Sequence, residues 1–220
     1  MKLRLLAIVF GLIIPVTACN SSKQANAPTP AQSPTSTSSS VSNVPASPAA
    51  SPKTAASSDT SAVSKNWYNY SSTDGKYSAK FPDKPNEQKR ASKAQQGEIS
   101  GTEVRYIDNA NQRLYLTGHV NLPAPKGAKL TNVNVDKILD GGRDSMAKTV
   151  GATVKNETKI SQGEYPGREF LMTLPNGLSA KARIFINPKN LKAYQAVFAA
   201  KDGKVDAPDA KAFLDSVKLK

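Results

Sequence analysis

The sequence is short of the residues on which most protein chemistry depends. Of its 220 residues, one is Cys and one is His. A single thiol excludes an intramolecular disulfide framework and any cysteine-rich zinc or iron–sulfur site, and a single imidazole excludes multi-histidine metal centres. Aromatic residues make up 6% of the chain and hydrophobic residues 38%, enough for one modest core and too little for a multidomain enzyme. Acidic residues are scarce as well: seventeen Asp and Glu stand against thirty Lys and Arg, a formal charge of +13. That excess points to anionic neighbours without naming them. No Gly-x-Ser-x-Gly elbow occurs, and Gly141-Gly142 falls inside a helical pattern rather than in a phosphate-cradling loop after a strand.

What is present begins at the N-terminus. Lys2 and Arg4 precede an uncharged apolar run over residues 5–14, closed by Pro15. Such a run is roughly half of the ~20 residues a membrane-spanning helix needs, so residues 1–18 read as a signal peptide. Val16-Thr17-Ala18-Cys19 then sets small residues before the chain's one thiol. This resembles the bacterial lipobox. The resemblance implies cleavage before Cys19, a thioether-linked diacylglycerol on its sulfur and acylation of the new amine. Two or more acyl chains make membrane residence stable, where one holds only marginally. The location expected is extracytoplasmic. Asn20 lacks the Asp associated with inner-membrane retention in enteric bacteria, so the outer membrane is favoured if the host has two.

Residues 20–65 hold fourteen Ser, nine Ala, six Pro and five Thr, thirty-four of forty-six positions, so no core can form there. Residues 19–65 therefore read as the lipidated Cys and a disordered tether. Its random-coil span is on the order of 35–40 Å. Ser and Thr crowding beside Pro also fits an O-glycosylated stalk.

All seven Tyr and the one Trp lie beyond it, and residues 66–220 have the length of one domain. Trp67 to Ser71 and Lys76 to Phe81 flank Thr73-Asp74-Gly75 and read as a hairpin. Gly97 to Ile107 and Gln112 to Leu122 form a second. In its second arm Leu114, Leu116, Gly118, Val120 and Leu122 share one face, with Arg113, Tyr115, Thr117 and His119 on a polar one. Further runs near 153–161, 168–174, 179–187 and 191–200 follow, with Pro175-Asn176-Gly177 as a turn. Short runs joined by tight turns imply antiparallel pairing. Val135, Ile138, Leu139, Gly142, Met146 and Val150 recur at helical spacing, with close packing of Gly142 on the sheet expected. A last helix starts near Asp206-Ala207-Pro208, with Asp206 as its cap, and Val217 and Leu219 add a short strand. The fold class expected is α+β, an antiparallel sheet of about six to eight strands packed with two main helices.

Two stretches resemble PsbP-like domains: Tyr77-Ser78-Ala79-Lys80-Phe81-Pro82 after Asp74-Gly75, and the end Phe213-Leu214-Asp215-Ser216-Val217-Lys218-Leu219. They cover roughly twenty residues, and Asp83-Lys84-Pro85 stands where that family has a Trp. The resemblance implies an α/β/α sandwich and an extrinsic protein that binds or helps assemble photosynthetic membrane complexes. Cyanobacterial members are lipoproteins. No metal or binding residue carries over.

The candidates for chemistry are few. His119 on a polar strand face offers a general base, but its simpler role is an exposed strand histidine. Asp136, Asp140 and Asp144 line one helix face about 6 Å apart, too spread for one cation and better read as a solvated face offset by Lys137, Arg143 and Lys148. Pro166-Gly167-Arg168-Glu169-Phe170 reads as a local ion pair or a binding corner. Of the +13, +9 belongs to residues 66–220, with Lys181, Arg183, Lys189 and Lys192 as the tentative basic surface. Neither a catalytic residue nor a metal or cofactor is expected. The partners expected are the membrane through the lipid anchor, and either a membrane protein complex or an acidic glycan or lipid of the envelope. Nucleic acid is not expected.

Overall fold

The computed structural model describes residues 66–94, 97–124, 133–201 and 203–220. Cys19, the signal peptide and the tether lie outside the described residues, as do Lys126 and Lys129.

The strands form two sheets. Strands β3 (Asn86–Ala94), β4 (Gly97–Asp108), β5 (Arg113–Asn121), β6 (Thr153–Gln162), β7 (Tyr165–Thr173), β8 (Leu178–Asn187) and β9 (Lys192–Lys201) make a seven-stranded sheet in the order β3-β4-β5-β9-β8-β7-β6. Every pairing in it is antiparallel. A three-stranded sheet, also antiparallel, joins β1 (Tyr68–Ser72), β2 (Tyr77–Phe81) and β10 (Lys218–Leu219) in the order β1-β2-β10. Two helices, α1 (Val135–Val150) and α2 (Pro208–Ser216), complete an α+β fold. The main sheet matches the size expected. The second sheet is separate because β2 turns its Tyr77, Ala79 and Phe81 inward as a lid.

Each face of the large sheet has its own core. On one, Leu139, Met146 and Ala147 of α1 pack on Leu114, Leu116, Phe170, Met172, Ile184 and Ile186. On the other, β2 and α2 bring Tyr77, Phe81, Phe213 and Leu214 onto Tyr115, Phe185, Tyr194 and Phe198. Tyr115 is the hub of the second core, with ring centroids 5.1 Å from Phe198 and 5.4 Å from Phe213. Such aromatic pairs contribute about 0.5–1.5 kcal/mol each beyond area burial.

Covering both faces corrects the reading of β5. The strand lies between β4 and β9, so its Tyr115, Thr117 and His119 are as buried as its leucines. His119 is 2% exposed and is not a surface histidine. A second correction concerns β3, which the sequence pattern does not predict: NEQKRASKA has no apolar alternation, and the strand forms an edge, where charge discourages pairing with other chains. A third concerns α2, whose N-cap is Ala207 with no side-chain hydrogen bond. Asp206 instead pairs with Lys181. Helix α1 is capped as its sequence allows, the Asn134 side chain accepting from the Lys137 N–H at 3.0 Å and Gly151 ending it with φ 64°.

Two glycines act in opposite ways. A Cβ on Gly101 would stand 2.1 Å from the His119 carbonyl oxygen across the β4–β5 pair, a backbone atom that cannot yield. Gly142 instead lines a cavity of about 20 Å³ between α1 and Val120, Ile184 and Ile186, room for one water molecule. Gly101→Ala is therefore expected to destabilise by about 1–3 kcal/mol through overpacking. Gly142→Ala is expected to stabilise by up to about 1 kcal/mol, because it restores helix propensity and adds a methyl where space exists. Urea denaturation of both variants measures the two signs.

Candidate functional site

All six Arg among the described residues are ion-paired. Arg168, with its side chain 5% exposed, bonds Asp136 and reaches Glu157 at 2.9 Å and Asp140 at 3.6 Å. Arg143 bonds Glu157 and holds Asp144 at 2.8 Å. The Asp136, Asp140 and Asp144 stripe thus faces two guanidiniums, which fasten α1 to β6 and β7. Hydrogen bonds that the Arg143 guanidinium donates to Asp144 and Glu157 outweigh its burial and raise its pKa. Arg113 and the Tyr115 hydroxyl both donate to one oxygen of Asp209, each at 2.6 Å, fixing α2 on β5. Arg90 and Arg105 stand 4.0 and 3.8 Å from Glu103, which is 1% exposed. Neither Glu103 oxygen accepts a hydrogen bond from the described residues, and burial holds its pKa up against the pull of Arg90 and Arg105.

The corner at Pro166 to Phe170 is not a local ion pair. Arg168 and Glu169 point to opposite faces of β7, Arg168 to α1 and Glu169 to Arg183 at 2.6 Å. The sequence-read basic surface is distributed in the same way. Arg183 also holds Asp215 at 2.8 Å, Lys181 bonds Asp206, and Lys189 holds Glu164 at 2.5 Å. Lys192 donates to the Asp74 carbonyl at 2.5 Å. Each of these four cations is committed to an acceptor within the domain.

Lys84, Lys93, Lys137, Lys148, Lys155, Lys201 and Lys204 have no carboxylate partner among the described residues but are scattered in the sequence, whereas four further lysines without one gather at the small sheet. In β2 the inward Tyr77, Ala79 and Phe81 leave Ser78 and Lys80 facing out. Lys218 pairs in register with Ser78, so it shares that face, while Leu219 packs inward. The Lys220 N–H donates to the Lys76 carbonyl at 3.0 Å, which sets the ends of the two strands side by side. Lys76, Lys80, Lys218 and Lys220 have no carboxylate partner among the described residues, and the three strands contain no Asp or Glu. These four lysines were not legible as a group, because the first pair and the second lie at opposite ends of the domain. Only the register of β10 on β2 joins them.

Behind this face lies the buried imidazole. The β1–β2 turn seats Gly75 directly on His119: a Cβ there would meet Nδ1 at 2.7 Å and the Tyr77 ring at 2.6 Å. Nδ1 and the Tyr77 hydroxyl are buried without hydrogen-bond partners among the described residues. The turn itself is held by Ser72 Oγ, which accepts from Gly75 N–H at 2.9 Å, and by Lys192. Burial lowers the His119 pKa, Lys192 lowers it further, and Asp74 and Glu87 oppose. Burial likewise lowers that of Lys192, with Lys76 adding to it against Asp74. Tyr70, half-buried beside Tyr77, donates to Glu87 at 2.8 Å, and burial with that carboxylate pushes its pKa up to about 12.

Because its pKa in the folded chain lies below the ordinary 6.5, His119 takes up a proton more readily when the chain unfolds. The stability it contributes is complete above that value and is lost as pH falls through the folded-state pKa. His119→Gln is expected to remove that limb, flattening the slope of stability by up to about 1.4 kcal/mol per pH unit below about pH 6.5. Denaturation midpoints between about pH 5 and 7.5 measure it.

No family model matches the chain, and no curated protein matches it. Among solved structures it is similar to the cyanobacterial PsbP, CyanoP, of Synechocystis sp. PCC 6803, at 10% identity over 70% of this chain and 92% of that one, with a TM-score of 0.49. It is also similar to LpqN of Mycobacterium tuberculosis, described as involved in cell envelope biogenesis, at 9% identity over 61% and 84% of the chains, TM-score 0.37. A third, PA94 of Pseudomonas aeruginosa, described as a protein of unknown function, is 9% identical over 64% and 86%, TM-score 0.31.

Proposed function

We propose that the protein is a lipid-anchored, extracytoplasmic module whose single domain binds an anionic partner at the surface of the membrane and performs no catalysis. The observation that carries the binding role is the lysine face, four cations with no internal carboxylate partner on a rigid sheet. Lysine left uncompensated keeps its charge available to an external anion, whereas a lysine or arginine already paired within the domain has part of its field cancelled.

The anchoring half of the reading rests on Val16-Thr17-Ala18-Cys19 at the end of the apolar run, with the chain's one thiol where lipidation requires it. Between anchor and domain, residues 20–65 have the composition of a spacer. Together they confine the domain to a thin layer above the bilayer, where a weak surface suffices because the partner's local concentration is high.

Cys19→Ala is expected to abolish metabolic labelling with a fatty-acid analogue and to leave an unprocessed, larger species. Unchanged labelling and unchanged size in that variant contradict the anchor. Purification of the tagged wild-type protein from its own membranes, at low and high salt, tests the partner. Anionic material lost at high salt supports the binding role, and a complex recovered equally well after the four lysines are replaced contradicts it.

A further inference from the structure

The lysine face also indicates which anion it meets. We infer that Lys76, Lys80, Lys218 and Lys220 lie against the anionic headgroups of the leaflet that holds the acyl anchor, so that the domain rests on the membrane by its small sheet. This rests on the proposed anchoring at Cys19 and adds to it the identity of the partner.

Two observations favour lipid over a folded protein or a glycan. The face contains lysine and no arginine, all described arginines being held within the domain. Arginine's planar fork suits fixed bidentate recognition, while the lysine ammonium is a point charge on a flexible stem that reads charge more than shape. A fluid array of phosphate headgroups offers charge without fixed shape. Second, the chain enters the domain at this same sheet, since β1 follows directly on Asn66 and Trp67. Forty-six residues of spacer composition span on the order of 35–40 Å as a random coil, so the proposed anchor would keep the sheet within reach of its leaflet.

The test uses the full-length lipidated protein in vesicles of phosphatidylcholine, with or without phosphatidylglycerol. Co-flotation reports the anchor. Energy transfer from Trp67, the chain's one tryptophan, to a dansyl headgroup lipid reports how near the domain sits. Transfer is expected to be high with phosphatidylglycerol and low without it. It should fall as salt rises from about 0.1 M to about 1 M, which shortens the screening length from ~10 Å to ~3 Å. Each lysine near an anionic surface changes partition by about fivefold, so replacing all four by Gln lowers the docked-to-undocked ratio by roughly 10²–10³.

A charge-matched control, Lys137→Gln, Lys148→Gln, Lys155→Gln and Lys204→Gln, removes four exposed lysines outside the small sheet and is expected to dock almost as wild type. Equal transfer on both vesicle types, or equal loss in the two quadruple variants, overturns the docking while leaving flotation, and so the anchor, intact. Loss of flotation alone overturns the anchor. Binding of the wild-type face to soluble alginate, with no response to phosphatidylglycerol, assigns the face to glycan and overturns the lipid reading.

Discussion

A seven-stranded antiparallel sheet has two faces to keep from water, and most of this domain follows from how that is done. Helix α1 lies across one face. The other is too broad for the nine residues of α2, and the rest of the cover is the small sheet. That sheet is made from the two ends of the domain, β1 and β2 at its start and β10 at its finish. Its inner residues Tyr77, Ala79 and Phe81 close the aromatic core around Tyr115. Its outer residues Lys80 and Lys218 are then drawn together whatever their distance in sequence, with Lys76 and Lys220 at the ends of the same strand pair. The surface proposed for function is thus the back of the element that the core requires as a lid.

Cations are divided by type in the same structure. Arginines fasten layers: Arg168 and Arg143 join α1 to β6 and β7, Arg113 joins α2 to β5, and Arg183 joins β8 to β7 and α2. Several of these guanidiniums are mostly withdrawn from solvent, where loss of one partner leaves a charge unpaired and costs more than the pair contributes. Lysines are divided among exposed ion pairs of small energetic weight, single unpaired cations spread over the surface, and the group of four on the small sheet. The domain's charge of +9 therefore overstates what most of its surface offers, and understates how local the remainder is.

Much of this architecture is legible in the sequence because local chemistry and tertiary demand agree. The Thr73-Asp74-Gly75 turn, the apolar stripe of α1, Pro208 in the first turn of α2 and the runs that become β4 to β9 each carry their signal in neighbouring residues. The misses have physical causes. The edge strand β3 has no apolar side to show, and its existence depends on register with β4. His119 looks exposed because alternation assigns Tyr115, Thr117 and His119 to a polar face, whereas a strand at the middle of the sheet is covered on both sides. Asp206 has the chemistry of a cap, but its carboxylate is held by Lys181. Basic residues near in sequence, such as Lys189 and Lys192, are claimed by Glu164 and the Asp74 carbonyl, and the four lysines of the small sheet come together only through β10.

Fold and function connect through the β1–β2 turn. It ends in Lys76, rests on the buried His119 and is held by Lys192, so the lysine face is stiffened from behind by the same residues that fill the core. A sheet of point charges braced from behind is suited to lying on a charged surface rather than enclosing a ligand. The most direct measurement is lysine acylation by a water-soluble amine reagent on the lipidated protein in its native membranes, quantified at each residue by mass spectrometry. The account expects Lys76, Lys80, Lys218 and Lys220 to be protected at low salt and released at high salt, while Lys137, Lys148, Lys155 and Lys204 react equally in both. Reaction of all eight at rates that do not change with salt would contradict it.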